Sequence, residues 1–256
     1  MKPRAFAIAA HPDDIEFSMA GTLLRLGEAG YELHYMNLGT GSLGSMVTNA
    51  AKTRIIRRAE SKRAAKVLGA HWHPPLSDDL EILYELKTLR RLAAIVREVN
   101  PSIILTHPPV DYMEDHTETC RLVVTAAFSR GMPNFITTPR RKHVEGNVTI
   151  YHCQPHLNRD PLGQPVTPEI YVDVGAQLAI QRAALAEHRS QKEWLDASQG
   201  MDSYLATMEG MKREMGRLSG RFDFAEGWRR HLYAGFCCPE ADPLRHTFAP
   251  DSIQPG

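Results

Sequence analysis

The sequence predicts an α/β fold in which a mostly parallel sheet carries helices on both faces. Two observations carry this prediction. Strand-like and helix-like segments alternate through the first half of the chain. The first and third strands are also continuous apolar runs, as strands buried on both faces are.

Residues 5–10 form the first apolar run, which stops at His11-Pro12. Residues 21–29 follow as a helix closed by Gly30. Residues 32–38 read as the second strand and run into a glycine-containing loop over 39–44. Residues 53–68 have helical spacing and end at Gly69, and a short extended piece occupies 71–75. The clearest helical pattern spans 80–99 and is ended by Asn100-Pro101. Residues 102–106 form the third strand, again followed by His-Pro, and 117–128 form the next helix. Residues 148–153 and 170–174 are strand-like. The stretches 133–143 and 154–168 read as long loops of the kind that cover a site. From residue 177 the chain reads as mostly helical, to about residue 205 and again over 224–232. Residues 1–238 are expected to form a single domain and 239–256 a loosely ordered, Pro-rich tail.

Thirty Lys and Arg balance thirty Asp and Glu, and no basic run stands out, which argues against nucleic acid as a partner. No stretch approaches the roughly 20 apolar residues of a membrane helix, so no membrane insertion is expected. Residues 5–10 are too short for a secretory signal. Cys120, Cys153, Cys237 and Cys238 fit neither a zinc ribbon nor a disulfide framework, and reduced thiols suit a cytoplasmic protein.

In open α/β sheets, ligands bind beyond the carboxyl ends of the strands. The first strand delivers His11-Pro-Asp13-Asp14 to that edge, and the third delivers His107-Pro-Pro followed by Asp111-Tyr112-Met113-Glu114-Asp115-His116. Together they offer His and carboxylate ligands to one point. Such a set suits Zn²⁺, and Fe²⁺, Mn²⁺ or Co²⁺ would also be accepted. Of two adjacent Asp residues, one can face the metal while the other takes a proton from water. Asp-Asp after a strand is also the pattern of a turn that caps the next helix. No Gly-x-Ser-x-Gly elbow is present, and no Gly-x-Gly-x-x-Gly opens a helix after the first strand. Gly39-Thr-Gly-Ser reads either as a wall whose amides meet a polar substrate or as a plain turn.

Ala10-His-Pro-Asp-Asp-Ile-Glu16 resembles the signature of the PIG-L/LmbE-like family of metal-dependent N-deacetylases. Residues 57–69, 102–108, Asp115-His116, His188-Arg-Ser-Gln191 and Ala225-Glu-Gly-Trp228 resemble further family markers in the same order. The resemblance implies a Rossmann-like three-layer sandwich, one divalent metal, and removal of an N-acyl group from an amino sugar or its conjugate. It implies His11, Asp14 and His116 as metal ligands, Asp13 as general base and Arg57 as a substrate-positioning residue. The chain departs from the family where a His is expected to donate to the oxyanion, because that position holds Met113. Tyr112, His188 and His143 are candidate donors in its place. Rival expectations are a zinc amidase acting on a thiol conjugate or other non-sugar amide, and a non-catalytic metal- or sugar-binding relative. A homo-oligomer is compatible with the helical C-terminal third.

Overall fold

The structure, a computed structural model, describes residues 2–191, 203–249 and 252–253. Among the described residues one mixed sheet holds β1 (Arg4–Ala9), β2 (Glu32–Asn37), β3 (His71–His73), β4 (Ile103–Thr106), β5 (Thr149–Cys153), β6 (Ile170–Asp173), β7 (Ala225–Arg230) and β8 (Ser252–Ile253). Their order across the sheet is β3-β2-β1-β4-β5-β7-β6-β8. The first five are parallel neighbours, and the last three join antiparallel. The helices are α1 (Asp14–Ser18), α2 (Ala20–Glu28), α3 (Ala50–Val67), α4 (Leu86–Val99), α5 (Glu114–Phe128), α6 (Leu178–Leu185), α7 (Ser203–Ser219) and α8 (Pro243–Phe248).

The strand β1 shows why its sequence is an unbroken apolar run. Successive side chains of a strand point to opposite faces. Ala5, Ala7 and Ala9 pack with Leu23 and Leu26 of α2 and Ala65 of α3. Phe6 and Ile8 pack on the other face with Leu92 and Val96 of α4 and Leu122 and Ala126 of α5. Both faces are therefore core, and the three-layer sandwich follows. From β1 the chain moves outward to β2 and β3, then crosses back to β4 and β5 on the other side. The β1–β4 junction is a topological switch point, where the strand ends open a crevice for ligands.

Several elements differ from the sequence reading. Helix α4 starts at Leu86, not near residue 80. Leu80 has a φ of 60°, and its N–H donates to Asp115 Oδ2 at 2.7 Å. That long-range bond overrides a local helical pattern. Residues 225–230 form strand β7, not a helix. Glu226 and Trp228, two residues apart, both reach helix α2. Glu226 accepts the N–H groups of Gly21 and Thr22, and the Trp228 indole donates to Thr22 Oγ1 at 2.8 Å. The alternation was masked because one of the two inward side chains is a carboxylate. Helix α7 continues to Ser219, well past residue 205.

The tail is also more ordered than expected. Asp242 caps α8, accepting from the Arg245 N–H and from the Tyr151 hydroxyl at 2.7 Å. Leu244 and Phe248 then enter the core, and β8 pairs with β6. Among the described residues no helix is long and apolar enough to cross a membrane.

Candidate active site

Strands β1 and β4 end side by side. The Ala10 N–H donates to His107 Nε2 at 2.9 Å, so the residue after β4 braces the residue after β1. Accepting at Nε2, His107 carries its proton on Nδ1. Burial lowers its pKa, in keeping with a neutral ring.

Beyond His11 the chain turns sharply, and Asp13 adopts a φ of 100°. A non-glycine residue pays about 1–3 kcal/mol for such a conformation, and strain of this kind concentrates at functional sites. Arg57 of α3 and Tyr204 of α7 hold the turn. The Arg57 guanidinium binds the Pro12 carbonyl and lies 3.2 Å from Asp13 Oδ2. The Tyr204 hydroxyl donates to that same oxygen at 2.6 Å.

His11, Asp14 and His116 bring one ligand atom each to within 4.8 Å of one another. Asp14 Oδ2 lies 3.6 Å from His11 Nδ1 and 3.4 Å from His116 Nε2. Ligand atoms on a tetrahedral ion with bonds of about 2.0–2.1 Å stand about 3.4 Å apart, so the spacing fits. The outer nitrogens complete the case. His11 Nε2 is 2.8 Å from Asp115 Oδ2, and His116 Nδ1 is 3.0 Å from Asp111 Oδ1. A carboxylate on the outer nitrogen fixes the tautomer and aims the inner lone pair at a metal. The donor set therefore fits a divalent ion.

The electrostatics agree. Burial opposes charge on His11, but hydrogen bonds to Asp115 and Asp14 outweigh it and raise the pKa to about 10. Burial likewise opposes charge on His116, and the charge of Asp14 and the bond to Asp111 raise it to about 9. Burial pushes the Asp14 carboxyl up, but the His116 charge prevails and holds it well below the usual carboxylate range. These groups together attract positive charge, whether as protons or as a metal ion.

The cluster opens into a cavity of about 450 Å³, within the usual size range for small-molecule sites. His11, Asp13, Asp14, Arg57, Tyr112 and His116, all singled out from the sequence, line it. Arg57 is buried and faces Asp13 and Glu60, so it anchors the turn. Desolvation and the charges of Asp14 and Asp111 push the Tyr112 phenol up, so it keeps its proton at neutral pH. His188 is not in the cavity wall. It is fully buried, with Nε2 3.5 Å from Glu16 Oε1, and this removes it as a donor to substrate. His143 likewise does not line the cavity, while Met113 does.

In the 39–42 stretch, read as a substrate wall or a plain turn, the Gly39 amide donates to the Ala10 carbonyl at 2.7 Å and the Gly41 amide to Asp79 at 2.7 Å, and the following Leu43 amide also donates to Asp79, at 2.9 Å. The loop 154–168 contributes Gln154 and His156 to the wall, whereas 133–143 contributes nothing. Sequence reasoning missed the roles of Asp79, Asp111, Asp115, His156, Gln191 and Tyr204. Asp115 had a readable signal, as the acidic neighbour of a ligand His; Tyr204 had none, because it approaches from a distant helix.

Residues 6–127 match the family model described as PIG-L: GlcNAc-PI de-N-acetylase. The matched segment is just under half of the chain. A diacetylchitobiose deacetylase of Thermococcus kodakarensis is 26% identical over 234 residues, covering 88% of this chain and 82% of the relative. A 4-oxalmesaconate hydratase of Pseudomonas putida is 28% identical over 197 residues, covering 72% of this chain and 74% of the relative. The solved N,N'-diacetylchitobiose deacetylase of Pyrococcus horikoshii shares the fold, with a TM-score of 0.74 and 22% identity, covering 89% of this chain and 83% of that one. The segment similar to that family holds most of β1, all of β4 and the residues His11, Asp14 and His116.

Proposed function

We propose that this protein is a zinc-dependent hydrolase that removes an N-acetyl group from an amino sugar or its conjugate. One observation carries the reading: Asp13, strained and anchored, lines the same cavity as the His11–Asp14–His116 cluster without belonging to it. A bound divalent ion would acidify water and polarise the acyl carbonyl. Asp13 then takes a proton from the attacking water as the new C–O bond forms. It returns that proton to the leaving nitrogen as the C–N bond breaks, giving acetate and a free amine. Arg57 and Tyr204 keep the Asp13 carboxylate aimed through both transfers. Tyr112 and His156 line the cavity as candidate donors in place of the side chain that Met113 lacks.

The hydratase among the relatives defines the competing outcome, since activated water can also add to a carbon–carbon double bond. The metal-loaded protein is therefore assayed for amine release from N,N'-diacetylchitobiose and N-acetylglucosamine glycosides, and for loss of the conjugated absorbance of 4-oxalmesaconate. Amine release with unchanged absorbance supports the proposal. Hydration without amine release overturns it.

A further inference from the structure

The cavity mouth has a feature that metal chemistry does not require. Leu43 and Leu80 line the cavity yet stand 54% and 67% exposed. A scattered surface leucine needs no explanation. These two are held in place. Leu80 occupies the left-handed region with a φ of 60°, which a leucine adopts only under constraint. The constraint is its N–H bond of 2.7 Å to Asp115 Oδ2, the oxygen that also meets His11 Nε2. Leu43 is fixed by its N–H bond of 2.9 Å to Asp79 Oδ2, and Gly41 binds the other oxygen of that carboxylate. Asp79 and Leu80 are adjacent, so one dipeptide ties both leucines to the carboxylate that orients a ligand histidine.

The charges around the cavity point the same way. Among its described lining residues Arg57 is the one Lys or Arg, and it is engaged by the Pro12 carbonyl and Asp13. Asp13, Asp14, Asp79 and Asp115 are all there. Recognition of a phosphate or carboxylate calls for Arg, Lys or free backbone amides, and the loop amides of Gly41 and Leu43 are taken.

We propose that Leu43 and Leu80 form a built apolar subsite that selects an uncharged substrate bearing an apolar group beside its acylamino sugar. This rests on the deacetylase reading and narrows its substrate class. The backbone bonds hold both residues at the rim before such a group docks, which lowers the ordering cost of the contact.

The test uses the metal-loaded enzyme with three N-acetylglucosamine derivatives: the hexyl glycoside, the methyl glycoside and the 1-phosphate. Binding is measured by calorimetry in the cold, and amine release is measured separately. The hexyl glycoside is expected to bind at least about tenfold tighter than the methyl glycoside, with the 1-phosphate weakest. Leu43→Ala and Leu80→Ala should each remove most of the hexyl advantage and leave the methyl glycoside unchanged, since both keep the backbone N–H. Equal binding of hexyl and methyl glycosides, a preference for the phosphate, or variants that bind like wild type would overturn the subsite. Tight hexyl binding without amine release keeps the subsite and overturns the deacetylase reading. Amine release from all three together with equal binding does the reverse.

Discussion

Two pairs of histidines in this molecule stand almost equally close. The rings of His11 and His116 are 5.5 Å apart, and those of His34 and His73, on the neighbouring strands β2 and β3, are 5.2 Å apart. Their environments differ. Each ring of the first pair has a carboxylate on its outer nitrogen and Asp14 between the inner ones. In the second pair His34 Nδ1 lies 2.9 Å from His73 Nε2, and one carboxylate, Glu32, meets His34 Nε2 at 3.0 Å, with none between the rings. The carboxylates raise the first pair to about 10 and about 9 against the pull of burial. Burial dominates the second, lowering His34 and taking His73 down to about 4. Proximity of histidines does not make a cation site; a carboxylate between the rings and one behind each do.

The comparison can be broken in several ways. The largest effect is expected at Asp13, which belongs to the first region but not to its ligand set. Asp13→Ala should lower the amine-release kcat by about 10²–10⁴-fold while metal content stays that of wild type. A variant that keeps full turnover would remove Asp13 from the chemistry. Next is Asp115, one of the three carboxylates that surround the first pair. Asp115→Ala should weaken metal binding by about 10–100-fold in competition with a chromophoric chelator. Unchanged affinity would show that the outer carboxylate contributes nothing.

A smaller effect concerns stability in acid. His152 is buried between the His107 carbonyl and His231, and burial takes its pKa down to about 4. The unfolded chain gains a proton at this residue near pH 6.5 that the folded chain refuses until about pH 4. Its contribution to stability is therefore whole above about pH 6.5 and is lost as pH falls toward 4. A shift of this size corresponds to a loss on the order of 3 kcal/mol. Denaturant melts of wild type and His152→Gln across that range should show the shallower decline in the variant. Parallel declines would contradict the assignment.

Much of the fold was legible because buried parallel strands write themselves as apolar runs, and His11-Pro12-Asp13-Asp14 sits directly after the first of them. Asp13, Asp14 and His116 were readable because they follow strands whose carboxyl ends share a crevice. What local pattern could not show was set by distant partners. Leu80 leaves a helical pattern because Asp115 takes its N–H. Residues 225–230 are a strand because β5 and β6 pair on either side of them. His188 matched a motif yet serves the buried polar interior beside Glu16. Tyr204 reaches Asp13 across 191 residues of chain, a separation at which sequence spacing carries no signal.

His11, Asp14 and His116 have the donor set of a metal centre, and the His34–His73 pair does not. Elemental analysis of protein purified without added metal or a chelating tag tests this difference directly, on wild type, His116→Ala and His73→Ala. One divalent ion is expected per wild-type chain, the same in His73→Ala, and near none in His116→Ala. Metal that survives in His116→Ala, or that leaves with His73, would contradict it.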